Sequence, residues 1–169
     1  MTSAHNDQTD RFSAPPWHIV DFSLDFDDTR LSNLKDLWDR KRGDRAMPAR
    51  ADFDPTDLRE HIGSLFLVDV LEGGDDFQYR LIGSTIVDAV GRDVTGKMVS
   101  DVFEEPILRL YRHLVQHPTP VRTHGTVEWR QRRYLEHECL VLPLSDDGRT
   151  VNKFIGEMVF TSASRRAAG

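Results

Sequence analysis

Residues Gly91–Lys97, GRDVTGK, are where this chain comes nearest to a catalytic motif. They match most of a phosphate loop, G-x-x-x-x-G-K-[ST], in which backbone N–H groups cradle phosphates and the last hydroxyl holds Mg²⁺. Here the next residue is Met98, so that hydroxyl is missing. The surroundings differ as well. A phosphate loop leaves a strand and opens a long helix, whereas a helical run, STIVDAV, precedes this one and MVSDVF follows it. The residues therefore predict a structural loop, with Gly91 and Gly96 at positive φ and Asp93 or Thr95 bonded to nearby backbone N–H groups.

Three other groups have side chains capable of chemistry. His113 and His117 are spaced i, i+4, which suits a metal pair or a haem ligand. On a helix through them the apolar face centres near Leu110–Tyr111–Leu114, with His113 roughly 150° and His117 roughly 110° away. Both are expected on the solvated side, so haem is not favoured and the cofactor is left unknown. In His137-Glu138-Cys139, strand alternation puts His137 and Cys139 on one face and Glu138 on the other. Two ligands do not make a zinc site, and Cys139 is expected to be a buried, inert thiol. Arg130-Gln131-Arg132-Arg133 is a dense basic patch, expected at a solvated hairpin tip. No catalytic or metal-binding residue is assigned, and the chain is read as not an enzyme. The candidate ligand pocket comprises Tyr79, Tyr111, Gly125, Trp129, Cys139 and Met158. These lie on apolar faces of elements that should meet, with Tyr O–H and Trp N–H as polar handles and Gly125 leaving room for a ligand or a close helix.

The elements that must position these residues follow from periodicity. Residues 1–16 are polar and end in Pro15-Pro16. Residues 17–29 alternate partly, as an edge strand or extended arm would. Residues 1–29 are thus expected to be a disordered or extended acidic arm. Residues 30–43 read as an amphipathic helix with Leu31, Leu34, Leu37 and Trp38 on one face. Thr29 is the expected cap and Gly43 the stop, and the stripe is expected to serve packing or dimerisation. Asp54-Pro55 predicts a short helix over Thr56–Glu60. Strands are expected at 64–72 and 77–83, short helical turns over 84–103, a long helix at 104–117, and strands at 121–131, 135–145 and 153–162. Arg80, opposite in face to Tyr79, is expected to pair with an acid such as Asp69. Hairpin-linked strands with helices inserted between the second and third give an α+β fold.

Composition bounds the rest. The chain has 169 residues, 38% hydrophobic and 30% charged, enough for one domain with a core. Of its net charge of −6, residues 1–30 carry −4 (six Asp, two Arg), so the body is near neutral and gives no reason to expect nucleic-acid binding. The absence of a long apolar run, a signal-peptide core or a second cysteine points to a cytoplasmic protein without a membrane span.

The ordered set LWDRKRGDRAMPARADFDPTDL, SLFLVDV, YRLIGST, GRDVTG and LPLS, over about residues 31–162, resembles a family of short, stand-alone bacterial PAS-domain proteins. The resemblance implies a five-stranded antiparallel sheet over residues 30–162, an N-terminal amphipathic helix, and the 104–117 helix roofing a small cavity. Residues 163–169 would be a frayed tail. It also implies a non-catalytic signalling module that works by small-molecule binding or protein contact. No output segment is expected after the last strand, so the expected partners are an unknown signalling protein and a second copy in a homodimer. The alternatives are an interaction scaffold with a filled core and, less favoured, a small α+β enzyme using the cavity.

Overall fold

Leucines three residues apart need a surface to cover, and here that surface is the chain's own sheet. The computed structural model describes residues 11–102, 105–130 and 133–162, excepting the side chains of 128–130, 133 and 134. The first helix, α1, spans Thr29–Arg42 and buries Leu31, Leu34, Leu37 and Trp38 in the core of the same chain. The Trp38 indole N–H donates to the Pro143 carbonyl at 2.9 Å. The stripe expected to pack or dimerise is thus taken up inside the domain. The cap is Asp28 rather than Thr29: the Asp28 carboxylate accepts the Arg30 N–H at 2.9 Å, satisfying one of the helix's free donors. Arg40, Lys41 and Arg42 in the last turn oppose the negative end of the dipole, and Gly43 at φ 58° ends it.

Six strands follow in chain order: β1 Ile19–Asp21, β2 Leu65–Leu71, β3 Asp76–Ile82, β4 Val121–Arg130, β5 Arg133–Leu144 and β6 Lys153–Ser162. They form one antiparallel sheet in the order β1-β4-β5-β6-β2-β3. The expected count was five. The sixth is β1, from the N-terminal arm, which pairs with β4 through Ile19–His124, Val20–Thr123 and Asp21–Arg122. Three further helices lie between β3 and β4: α2 Ser84–Val90, α3 Val99–Val102 and α4 Glu105–Gln116. The helix expected at Thr56–Glu60 is a run of turns instead. Asp54 accepts the Thr56 N–H at 2.9 Å, but the hydrogen bonds do not propagate.

Alternation sorts the sheet into two faces. One rung runs Thr123–Cys139–Met158 across β4, β5 and β6, and the next runs Val141–Gly156–Phe66 across β5, β6 and β2. These residues, with Phe77 and Tyr79 of β3, face α2 and α4. The interleaved rung Arg122–Leu140–Glu157–Leu65 faces α1. A Cβ on Gly156 would lie 2.2 Å from the Phe66 ring, so the bare backbone there is what lets that ring lie flat across β6.

The α1 face carries the buried charges. Glu138 accepts the backbone N–H groups of Asp27 and Asp28 at 2.8 and 2.9 Å and the Arg122 Nε–H at 2.7 Å. Arg122 also reaches Asp21 at 3.1 Å. One carboxylate on β5 therefore fixes the entry to α1, and one guanidinium on β4 fixes β1. Farther along, Arg80 pairs with Asp69 as expected, and Lys153 joins them at 2.6 Å.

Candidate functional site

Between α2, α4, the 91–98 loop and the first face of the sheet lies a cavity of about 250 Å³. Its walls are mostly apolar: Phe66, Ile82, Ile86, Val94, Leu110 and Val141 are typical. Of the residues singled out from the sequence, Tyr79, Tyr111, Cys139 and Met158 all line it. Strand parity brings the three strand residues there, and helical periodicity brings Tyr111.

Gly125 does not line the cavity. It lies on the same face, but a Cβ there would be 2.3 Å from the Trp17 carbonyl oxygen and 2.7 Å from that of Pro16. The space expected for a ligand or a helix is occupied by the N-terminal arm, whose Pro16 carbonyl accepts the Thr126 N–H at 2.8 Å. Trp129 lies outside the residues whose side chains are described, as does the Arg130–Arg133 cluster.

The arm forms one end of the cavity. Ala14 and His18 bridge to each other, Val20 N–H donates to Ser13 Oγ at 3.0 Å, and Trp17 and His18 line the wall. Phe12 is buried against the His113 ring, with centroids 4.8 Å apart, and Arg109 donates to the Arg11 carbonyl at 3.2 Å. The arm thus spans from α4 to β4. His113 points away from the cavity, as expected, and is half-buried, its ring packed against Phe12 and Phe22. His117 is exposed. The signal for the arm's role was present in the sequence, since Trp17, Val20 and Phe22 are apolar in a stretch otherwise rich in Asp.

Most polar groups in the wall satisfy one another. Tyr79 and Tyr111 share a hydrogen bond, and burial holds both phenols well above their ordinary pKa, so both stay protonated. The Tyr111 ring also stacks on Phe154 at 5.2 Å, which fixes its orientation. Burial pushes the Cys139 thiol up to about 12, against a smaller opposing pull from the Thr123 hydroxyl. A thiol so placed is not a nucleophile near neutral pH. Burial lowers His18 to about 4, with the nearby His137 adding to the effect, and burial lowers His137 as well. Both imidazoles are neutral near pH 7.

The 91–97 loop is structural, as its residues predicted. Gly91 and Gly96 both sit at φ 85°, and Asp93 Oδ1 accepts the Thr95 N–H at 2.9 Å. On the opposite face of the sheet, Ser64, His61 and Glu157 meet in a buried cluster that resembles a hydrolytic triad in composition only. The Ser64 hydroxyl donates to Glu157 at 2.5 Å, and His61 Nδ1 bonds the other carboxylate oxygen at 2.8 Å. His61 bonds Glu157 and not Ser64, so no histidine is placed to activate the hydroxyl, and the cluster supplies hydrogen-bond partners to both oxygens of a fully buried Glu157. Among the described residues, no group of three or more His, Cys, Asp or Glu side chains is arranged to hold a metal, and no helix is long and apolar enough to cross a membrane.

The family model for the PAS domain matches residues 27–159. The chain belongs to the PAS-domain family. Solved structures are similar to it at low identity. A light-oxygen-voltage domain studied with a flavin analogue aligns at 12% identity and a TM-score of 0.50, over 67% of this chain and 87% of that one. The PAS domain of BvgS from Bordetella pertussis aligns at 15% identity and 0.43, over 81% and 92%. An RNA-binding light-oxygen-voltage receptor aligns at 12% and 0.48, over 90% of this chain and 40% of that one. No curated protein sequence matches the chain. In this PAS protein the helices α2–α4 and the 91–98 loop cover one sheet face, α1 covers the other, and the arm adds β1 and one wall of the cavity.

Proposed function

We propose that this PAS protein is a non-catalytic sensory or regulatory module that binds a small, mainly apolar molecule in the cavity beneath α4. The observation that carries this reading is the cavity itself: about 250 Å³ of space where a scaffold would be expected to pack solid. A site of this kind takes an apolar body and orients it with few polar groups. The light-oxygen-voltage neighbour was studied with a flavin analogue, which makes a flavin worth weighing. The isoalloxazine ring has an amide edge that wants several donors and acceptors, and no Asn or Gln stands among the described lining residues. The wall present here fits a smaller and less polar guest better.

Signal output is proposed to pass through contacts with another protein, with a cytoplasmic setting. Dimerisation through Leu31, Leu34, Leu37 and Trp38 loses its basis, because all four are buried within the chain. Native mass spectrometry of protein purified from its own host tests the sensing reading. The expected result is a co-purifying small molecule that is lost in Ala89→Trp, a substitution at the wall chosen to fill the space. A protein that binds no small molecule, alone or from a fragment library, and that is unaffected by filling the cavity, would return the choice to a scaffold.

A further inference from the structure

Two histidines reach the cavity from separate parts of the chain, His18 from the arm and His137 from β5. They are 5% and 6% exposed. Each donates one ring N–H to a backbone carbonyl of the arm. His137 Nε2 bonds the Trp17 carbonyl, and the His18 ring bonds that of Phe12. This fixes both tautomers, because an imidazole that is neutral and donates from one nitrogen keeps a lone pair on the other. Among the described residues, the remaining nitrogens, His18 Nε2 and His137 Nδ1, have no hydrogen-bond partner.

The placement is specific. His137 pairs across the sheet with Gly125, and Gly125 is the residue on which the Trp17 carbonyl rests. Both histidines therefore lie where the arm crosses the sheet, near enough for His137 to act on the charge of His18. They also differ from the other polar groups in the wall. Tyr79 and Tyr111 bond each other, Thr123 bonds Cys139, and the exposed Arg92 donates to the Val102 carbonyl. Two buried acceptors are left, and an unpaired buried acceptor is costly enough that such atoms are rare.

We propose that the ligand is a small neutral molecule with an apolar body and an N–H or O–H group that donates to these histidine nitrogens, and that its binding fastens the arm to the sheet. This rests on the reading of the cavity as a ligand site and adds the ligand's chemical class and the element that responds. The neutrality of both imidazoles agrees with it, since protonated rings would present donors instead. A carboxylate ligand would bring lone pairs against lone pairs. A hydrocarbon would leave both nitrogens unpaired. Coupling to the arm follows because both rings are anchored through arm carbonyls: a guest that orders the rings orders residues 12–18 with them.

The test uses matched probes on the full chain: indole against N-methylindole, and phenol against anisole. A dry cavity of about 150 Å³ accepts benzene, so rings of this size are suitable. Affinities come from calorimetry or ligand-observed NMR, and hydrogen exchange at residues 12–21 reports on the arm. In at least one pair the donor-bearing member is expected to bind about tenfold tighter or more. It should slow exchange in the arm, and the preference should shrink in His18→Leu and in His137→Leu, made separately and checked for folding by circular dichroism. Equal binding within both pairs overturns this proposal and leaves the sensing reading standing. A preference that survives in both folded variants, or arm exchange that does not respond to a bound donor, also overturns it. If no member of either pair binds, this inference falls, while the sensing reading is decided separately by the native mass spectrum and the fragment library.

Discussion

Replacing Gly125 by Ala separates the arm from the rest of the domain. The new Cβ would lie 2.3 Å from the Trp17 carbonyl oxygen, 2.5 Å from the Trp17 carbonyl carbon and 2.7 Å from the Pro16 carbonyl oxygen. All three are backbone atoms, so no side chain can swing aside. Either the arm stays and the contact is relieved by strain, at about 1–3 kcal/mol for one added carbon, or the arm lifts. Lifting breaks the Thr126–Pro16 hydrogen bond, the β1–β4 pairing and the Arg122–Asp21 pair, each hydrogen bond worth about 1 kcal/mol, and exposes Phe12 and Val20, each worth roughly 2 kcal/mol of burial. Against this, each residue freed regains about 1 kcal/mol of backbone entropy, so the net cost of lifting is small. The loss in global stability should therefore not exceed about 3 kcal/mol, while amide protection at residues 14–21 should collapse. Urea melts measure the first and residue-resolved hydrogen exchange the second. Unchanged arm protection together with an unchanged melt would show that the arm does not rest on β4 as described.

Trp38→Ala should cost about 3–5 kcal/mol in a chemical melt without changing mass by light scattering, since the ring is buried within one chain and its N–H is bonded to Pro143. Glu138→Ala should cost about 2–4 kcal/mol, because it leaves the buried Arg122 Nε–H without its acceptor, although Asp21 still pairs with the guanidinium, and releases two N–H groups at the entry to α1; Glu138→Gln, which keeps one acceptor, should cost less in the same melt. The His18 pKa is depressed on folding from 6.5 to about 4, so its contribution is complete above pH 6.5 and is lost as pH falls toward 4, by on the order of 3 kcal/mol. Melts across that range should show the loss, and His18→Leu should flatten it, His137 giving a residual slope of the same sign. Lys97→Ala should leave ATP turnover at background and stability within about 0.5 kcal/mol, as expected of a surface lysine outside any phosphate site.

Much of this architecture can be read from periodicity. The bounds of α1 and α4 fall within a residue of where their apolar spacing ends, because in each a single buried face dictates the pattern, and β6, buried on both faces, also keeps its expected bounds. The same parity places Tyr79, Cys139 and Met158 on one face and Glu138 on the other. Three things were not legible. The turns at 55–60 carry good capping residues, but no apolar stripe follows to reward a helix. The destination of the Leu31–Trp38 stripe depends on which sheet face lies nearest, and pattern alone cannot distinguish a sheet from a second subunit. Gly125 marks a close backbone approach, yet a glycine does not reveal what approaches; only the fold shows that the visitor is Trp17 of the arm.

The short reach of β1 has a further consequence. It covers three residues of a ten-residue β4, and it is tethered through residues 22–28, where Leu24 adopts φ 59°, uncommon for a residue with a side chain. When the arm swings away, β4 presents bare N–H and C=O groups, and the segment best matched to them is the same arm of another molecule. Reciprocal exchange of arms would then make a dimer without any new surface. The tethered arm competes at an effective concentration on the order of millimolar, so exchange is favoured only in concentrated solution or when something loosens the closed form. A guest that holds the arm down would keep the protein monomeric, and its departure would free the arm to pair. Occupancy of the cavity would be converted into stoichiometry, which sedimentation at increasing protein concentration, with and without bound probe, can read directly.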